Sequence, residues 1–131
     1  MMMRACSLGD VLPVLELAIG PRCDTSGGLL SVAEACQGSE CFAVYEGGAL
    51  VLGYALKRVQ HEGGAVTWIM AAAGNRPGLD LTQTALPAIE QQARDAGTVQ
   101  VAITTKRRGL IAKLKKQGYA VTGVTLRKTL E

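Results

Sequence analysis

The residue types best suited to chemistry stand together in the run WIMAAAGNRPGLDLTQ, residues 68 to 83. An apolar stretch ends in Ala71, Ala72 and Ala73, meets a loop holding Gly74, Asn75, Arg76 and Gly78, and then enters a segment that reads as a helix behind Asp80. Such a junction can cradle a phosphate. Backbone N–H groups at a helix start point at an anion, glycines let the backbone close on it, and a guanidinium meets phosphate with paired hydrogen bonds. The same residues also describe a plain strand, turn and helix, and the small alanines equally suit a helix packed tightly on a sheet.

Other constellations are weaker. Four cysteines (Cys6, Cys23, Cys36, Cys41) show no Cys-x-x-Cys spacing and stand with a single histidine, His61, so a zinc site lacks ligands and no metal is expected. Buried thiols are the expectation instead. The segment TTKRRGLIAKLKKQ concentrates positive charge. With Thr105 as its cap, Lys106, Arg107 and Arg108 fill the first helical turn, where each opposes the helix dipole by roughly 0.3 to 1 kcal/mol. A nearby anion would relieve that cost; solvation on an amphipathic helix is the simpler account.

These groups need a scaffold, and the totals allow one. A chain of 131 residues, 48% apolar and 19% charged, makes a single domain (1–131) with its own core. No apolar run approaches the roughly 18 residues that cross a membrane, and the opening MMMRACSLGD meets a charge before a signal core forms. A cytoplasmic protein is expected.

Periodicity supplies the elements. Leu8, Val11, Leu12, Leu15 and Ile19 share a helical face behind Ser7 and Asp10 in capping-box positions; with Asp10 as cap, Pro13 falls in the first turn, where it is tolerated. LLSVAEAC reads as a short second helix ending at Gly38. CFAVYEGGALVLGYALKRV, QHEGG and AVTWIMAAA read as three antiparallel strands joined by hairpins. DLTQTALPAIEQQARDAG reads as a helix capped by Asp80 with Gln83, bent at Pro87 and ended by Gly97. TVQVAITT, KRRGLIAKLKKQG and YAVTGVTLRKTL follow as strand, helix and closing strand, and a short strand precedes the first helix. The expected class is α/β: a mixed, mostly antiparallel central sheet flanked by helices, with one right-handed parallel strand-helix-strand crossover.

In that order, MRACSLGDVLPVLELA, CFAVYEGGALVLGYAL with its Gly53-Tyr54 pair, and LIAKLKKQGYAV with Gly118-Tyr119 resemble the GNAT-type N-acetyltransferase superfamily over nearly the whole chain. In size and divergence the chain is similar to small members encoded by bacteriophages and prophages. The resemblance implies that the fourth strand splays from the fifth to admit acetyl-CoA as cofactor. It places the pantetheine arm along Ile69, Met70, Ala71 and Ala73, and the pyrophosphate near Gly74, Asn75, Arg76 and Gly78. The family's loop reads Gln/Arg-x-x-Gly-x-Gly/Ala. With Gly74 as its central glycine, Ala71 and Arg76 take the outer places; with Gly78, Asn75 and Asp80 do. Neither register reproduces the pattern, and a carboxylate at Asp80 repels a pyrophosphate.

Acyl transfer to an amine needs a base for the ammonium proton and an acid beside the departing sulfur. The tyrosine that many members place four residues before the helix-ending glycine is here Leu114. Strand AVTWIMAAA has no carboxylate, so Glu62 and His61 in the preceding turn are the nearest base candidates, with Tyr45, Tyr54 and Tyr119 able to serve only where the fold aims them at the gap. Two functions follow: an acyl-CoA-binding protein transferring an acyl group to an amine substrate, or a non-catalytic protein of the same fold that engages an acidic protein or nucleic acid through its basic C-terminal face. The basic stretch holds Tyr119 as its lone aromatic and no stacking motif, which leaves nucleic acid the less supported partner.

Overall fold

The computed structural model describes residues 2–18, 23–76 and 78–130. Strand β1 (Met2–Cys6) leads into helix α1 (Leu8–Ala18). The Asp10 carboxylate accepts the Ser7 N–H at 3.1 Å, so Ser7 stands ahead of the helix and Asp10 lies in its first turn. Pro13 therefore sits in the helix body, one turn deeper than the sequence placed it. Val11, Val14 and Leu15 form the buried face; Ile19 lies outside the described residues. Helix α2 (Val32–Ala35) is a single turn, capped where Ser31 Oγ accepts the Glu34 N–H at 3.1 Å.

Strands β2 (Glu40–Glu46), β3 (Ala49–His61) and β4 (Gly64–Gly74) form two consecutive hairpins, and β5 (Gln100–Ile103) joins β4 in parallel. The sheet order is β1-β2-β3-β4-β5, antiparallel except for the last pair. This is the α/β class and the mixed sheet the sequence predicts. One face packs on α1 and α2, joining Val11, Leu15 and Cys36 to Ala43, Ala55, Ala71 and Ala73. Small sheet residues let α1 settle close: a Cβ on Gly53 would lie 2.8 Å from Val11 Cγ1, well inside contact distance. The cysteines are free thiols, and burial pushes those of Cys36 and Cys41 up, which keeps them unreactive.

The other face packs Leu52, Tyr54, Leu56 and Ile69 against Leu86, Ile89 and Leu114. The expected single helix after β4 is two, α3 (Leu81–Thr84) and α4 (Leu86–Asp95), parted at Ala85. Pro87 has no N–H for the Gln83 carbonyl, and the interruption falls at Ala85, between the two. Helix α5 (Arg108–Lys116) starts later than expected: Thr105 Oγ1 accepts the Arg107 N–H at 3.2 Å, and Arg108 alone of the three leading cations lies within the helix. Residues 119–130 alternate as a strand should, yet they form none. A strand exists only by pairing, and this segment is held elsewhere. Tyr119 bonds Glu90, and Arg127 Nε donates to the Thr25 carbonyl at 2.8 Å.

Candidate functional site

Strand β4 has two edges with different fates. Toward β3 it is paired from Gly64 opposite His61 to Gly74 opposite Leu52. Toward β5 the pairing runs only from Val66 opposite Gln100 to Ile69 opposite Ile103, where β5 stops. Residues 70–74 therefore present a backbone edge with no strand partner among the described residues. A bulge falls at the same place: Ala55 faces Ala71 and Leu56 faces Ile69, which leaves Met70 as an extra residue. The extra residue resets the alternation, so that Ile69 and Ala72, three apart, both face the α4 side while Ala71 and Ala73 face α1. Bulges also bend and twist a strand, here at the residue where β5 departs. Met70, Ala71 and Ala73 thus lie along the edge that β5 leaves open, and Ile69 is the last paired residue before it.

The junction that follows is tied mainly to its own neighbours. Gly74 lies under Leu79, whose Cδ2 would stand 2.6 Å from an added Cβ, so a larger residue there would require the Leu79 side chain to move. Asn75 donates its backbone N–H to Val51 O at 2.8 Å and its amide to Leu50 O at 3.3 Å, which fastens it to β3. Arg76 reaches the β2–β3 hairpin and pairs with Glu46 at 2.9 Å, both side chains nearly half exposed. Gly78 follows with a φ of 75°. Asp80 then accepts three hydrogen bonds: from Thr82 N–H at 3.0 Å, from the Thr82 hydroxyl at 2.7 Å and from Lys113 Nζ at 3.2 Å. The Thr82 hydroxyl, aided by Lys113, holds the Asp80 carboxyl below its ordinary range. Gln83 and Thr84 send their N–H groups to the Asp80 carbonyl at 3.2 and 2.9 Å.

Two halves of an acyl-CoA site can be tested against this geometry. The open edge at 70–74 offers the unpaired N–H and C=O groups that an amide-bearing pantetheine arm requires. The start of α3 does not fit a pyrophosphate as it stands, because its donors are used by Asp80 and a carboxylate occupies the anion's place. Arg76 is not aimed there either.

The proton-handling candidates are scattered. His61 ends β3 and Glu62 lies in the next turn, both exposed; the strand between that turn and Met70 spans about 20 Å at its usual rise. Tyr119 packs against the cluster containing Ile69 and Ile103, and its hydroxyl donates to Glu90 at 2.8 Å. Burial first, then Glu90, raises its pKa above the tyrosine range, so the hydroxyl keeps its proton. Tyr54, wholly buried, donates to Gln92 at 2.6 Å and is pushed up to about 12 by burial. Tyr45 lies under Arg4, 5.1 Å from ring centroid to guanidinium carbon. Sequence reasoning missed Glu46, Thr82 and Lys113 as partners of the loop. Glu46 and Lys113 stand 30 and 33 residues from the groups they meet, with no local pattern to announce them.

A five-stranded mixed sheet, antiparallel except that its fourth strand pairs in parallel with a shorter fifth and continues past it, defines a GNAT-like fold. Solved structures share it. A provisionally assigned acetyltransferase from Agrobacterium tumefaciens is 21% identical, with 98% of this chain and 100% of that one covered at a TM-score of 0.65. The glucosamine-6-phosphate N-acetyltransferase of Arabidopsis thaliana is 11% identical over 99% and 98% of the two chains at a TM-score of 0.65. A transcriptional regulator from Bacillus halodurans C-125 is 14% identical over 98% and 99% at a TM-score of 0.67. No family model and no curated protein matches the sequence. At these identities the likeness is one of fold, and the regulator among the neighbours shows that the fold alone does not name an activity.

Proposed function

We propose that this chain binds acyl-CoA in the cytoplasm, with the pantetheine arm along the open β4 edge at Ile69, Met70, Ala71 and Ala73, and transfers the acyl group to an amine. The observation that carries this is the end of β4–β5 pairing at Ile69 opposite Ile103. When bound, acyl-CoA would supply a thioester carbonyl to the amine nitrogen: the C–N bond would form as the C–S bond broke, and the sulfur would leave as a thiol, gaining one proton for the one the nitrogen loses. Of the candidates, Tyr119 is the proposed proton donor to sulfur, since it lies against the same core cluster as Ile69; its hydroxyl would have to turn from Glu90 to the sulfur. Glu62 and His61 would serve only an amine bound along β4 toward its first turn. Gly74, Asn75, Arg76 and Gly78 would border the nucleotide half, with Arg76 released from Glu46. That exposed ion pair is worth at most about 1 kcal/mol, so a phosphate can compete for the guanidinium.

A second reading, a non-catalytic protein of this fold, is favoured by Asp80 in the phosphate position. Thermal unfolding separates the two. Acetyl-CoA and S-acetylpantetheine should each raise Tm in proportion to the logarithm of concentration above Kd. Absence of any shift with either at millimolar concentration would overturn the acyl-CoA proposal. A shift with S-acetylpantetheine alone would keep the arm and exclude the phosphate cradle.

A further inference from the structure

A groove of about 1090 Å³ runs along the outer edge of β5, between that strand and the segment from Tyr119 to Arg127. It exceeds the roughly 300 to 1,000 Å³ of small-molecule pockets. We propose that this groove receives an extended peptide bearing acidic side chains, which adds to β5 as a sixth strand.

The backbone supplies the first ground. Val99 donates its N–H to Ala65 O on the β4 side at 2.9 Å. Backbone groups alternate in direction along a strand, so those of Gln100 and Ala102 point to the free edge, where β5 has no further strand neighbour among the described residues. Unanswered edge groups of this kind are the template that strand addition uses. Across the groove, Val121 and Val124 are 58% and 81% exposed and offer apolar contact to alternate side chains of an incoming strand.

Charge identifies the occupant. Arg94, Lys106, Lys115 and Arg127 line the groove against two carboxylates, Asp24 and Glu90. Those two are already engaged. Asp24 accepts from Ser26 N–H, Ser26 Oγ and Gly28 N–H, and Glu90 accepts from Tyr119. None of the four cations makes an ion pair with a carboxylate among the described residues. An acidic strand answers that excess. The tail of a second copy does not, since it brings Arg127 and Lys128 of its own. Nucleic acid would neutralise the cations but leave the backbone edge unpaired, with Trp68 and Tyr119 as the groove's aromatic side chains.

The test is fluorescence anisotropy with a fluorescein-labelled peptide of alternating Glu and Val. Three further probes accompany it: the same peptide with Lys for Glu, a peptide of alternating Glu and Pro that cannot donate to the edge, and a labelled oligo-dT. The Glu-Val peptide is expected to bind on the order of tenfold more tightly than each of the other three, and to lose about tenfold with the K106E/K115E variant, whose Tm should stay near the parent's. Hydrogen exchange at the amides of Gln100 and Ala102 should slow when it binds. Equal binding of the Glu-Pro peptide, tighter binding of oligo-dT, or no exchange protection at β5 would overturn the proposal. Acetyl-CoA takes no part in this experiment, so its outcome is independent of the function proposed above.

Discussion

Asp80 concentrates the competition at the junction. Its carboxylate closes the first turn of α3 and draws Lys113 toward it, and a pyrophosphate would have to take over both roles. Asn at this position caps a helix as well as Asp does, so Asp80→Asn should leave the fold intact while removing the repulsion. Its expected effect is a larger Tm rise with acetyl-CoA and an unchanged one with S-acetylpantetheine; equal shifts for both proteins would show that the carboxylate does not obstruct the site. Gly53 tests the packing that holds β3 in place. A methyl there meets Val11 at 2.8 Å, so Gly53→Ala should cost about 1 to 3 kcal/mol in urea unfolding, as overpacked cores do. Val11→Ala in the same chain should recover part of that loss, because the two side chains share one space.

At the scale of elements, the end of β4–β5 pairing coincides with a one-residue insertion. Met70 separates Ile69 on the α4 face from Ala71 and Ala73 on the α1 face. Deleting it would join Ile69 directly to Ala71 in a regular ladder, with Ile69 and Ala72 still on the α4 face and Ala71 and Ala73 still on the α1 face, and would remove the local bend. The expected result for that variant is a retained cooperative unfolding transition, read by near-ultraviolet circular dichroism, with a smaller Tm rise from S-acetylpantetheine than the parent shows; an equal rise would mean that the bulge does not shape the edge. Hairpins, the parallel crossover and the helix faces were legible in the sequence, because period-2 and period-3.6 patterns and the Gly-rich turns report local geometry. The bulge was not legible: AVTWIMAAA offers no alternation strong enough to show a phase change, and three consecutive alanines fit either face. Likewise the strand expected over 119–130 has the right pattern and lacks a partner.

For the molecule as a whole, stability in acid should follow two carboxylates. Hydrogen bonds led by the Ser26 hydroxyl lower Asp24, and those led by the Thr82 hydroxyl lower Asp80. Each folded-state pKa lies below the unfolded one. Their contribution is therefore complete above the unfolded pKa of about 3.9 and disappears as pH falls through the folded value. A D24N/D80N variant should lose less Tm than the parent between about pH 5 and about pH 2; parallel loss in both proteins would mean that other groups govern acid unfolding. No described helix is long and apolar enough to span a membrane.

The sequence by itself determined the α/β class, the order of elements up to α5 apart from the break at Ala85, and the strand-to-helix junction at 68–83, since each is written in neighbours within a few residues of one another. Only the tertiary structure decided what that junction holds. Glu46 takes Arg76, Lys113 meets Asp80, and β5 ends opposite Ile69. Those are contacts between segments some 30 residues apart, fixed by how the sheet and helices pack, and no local pattern of residue types encodes them.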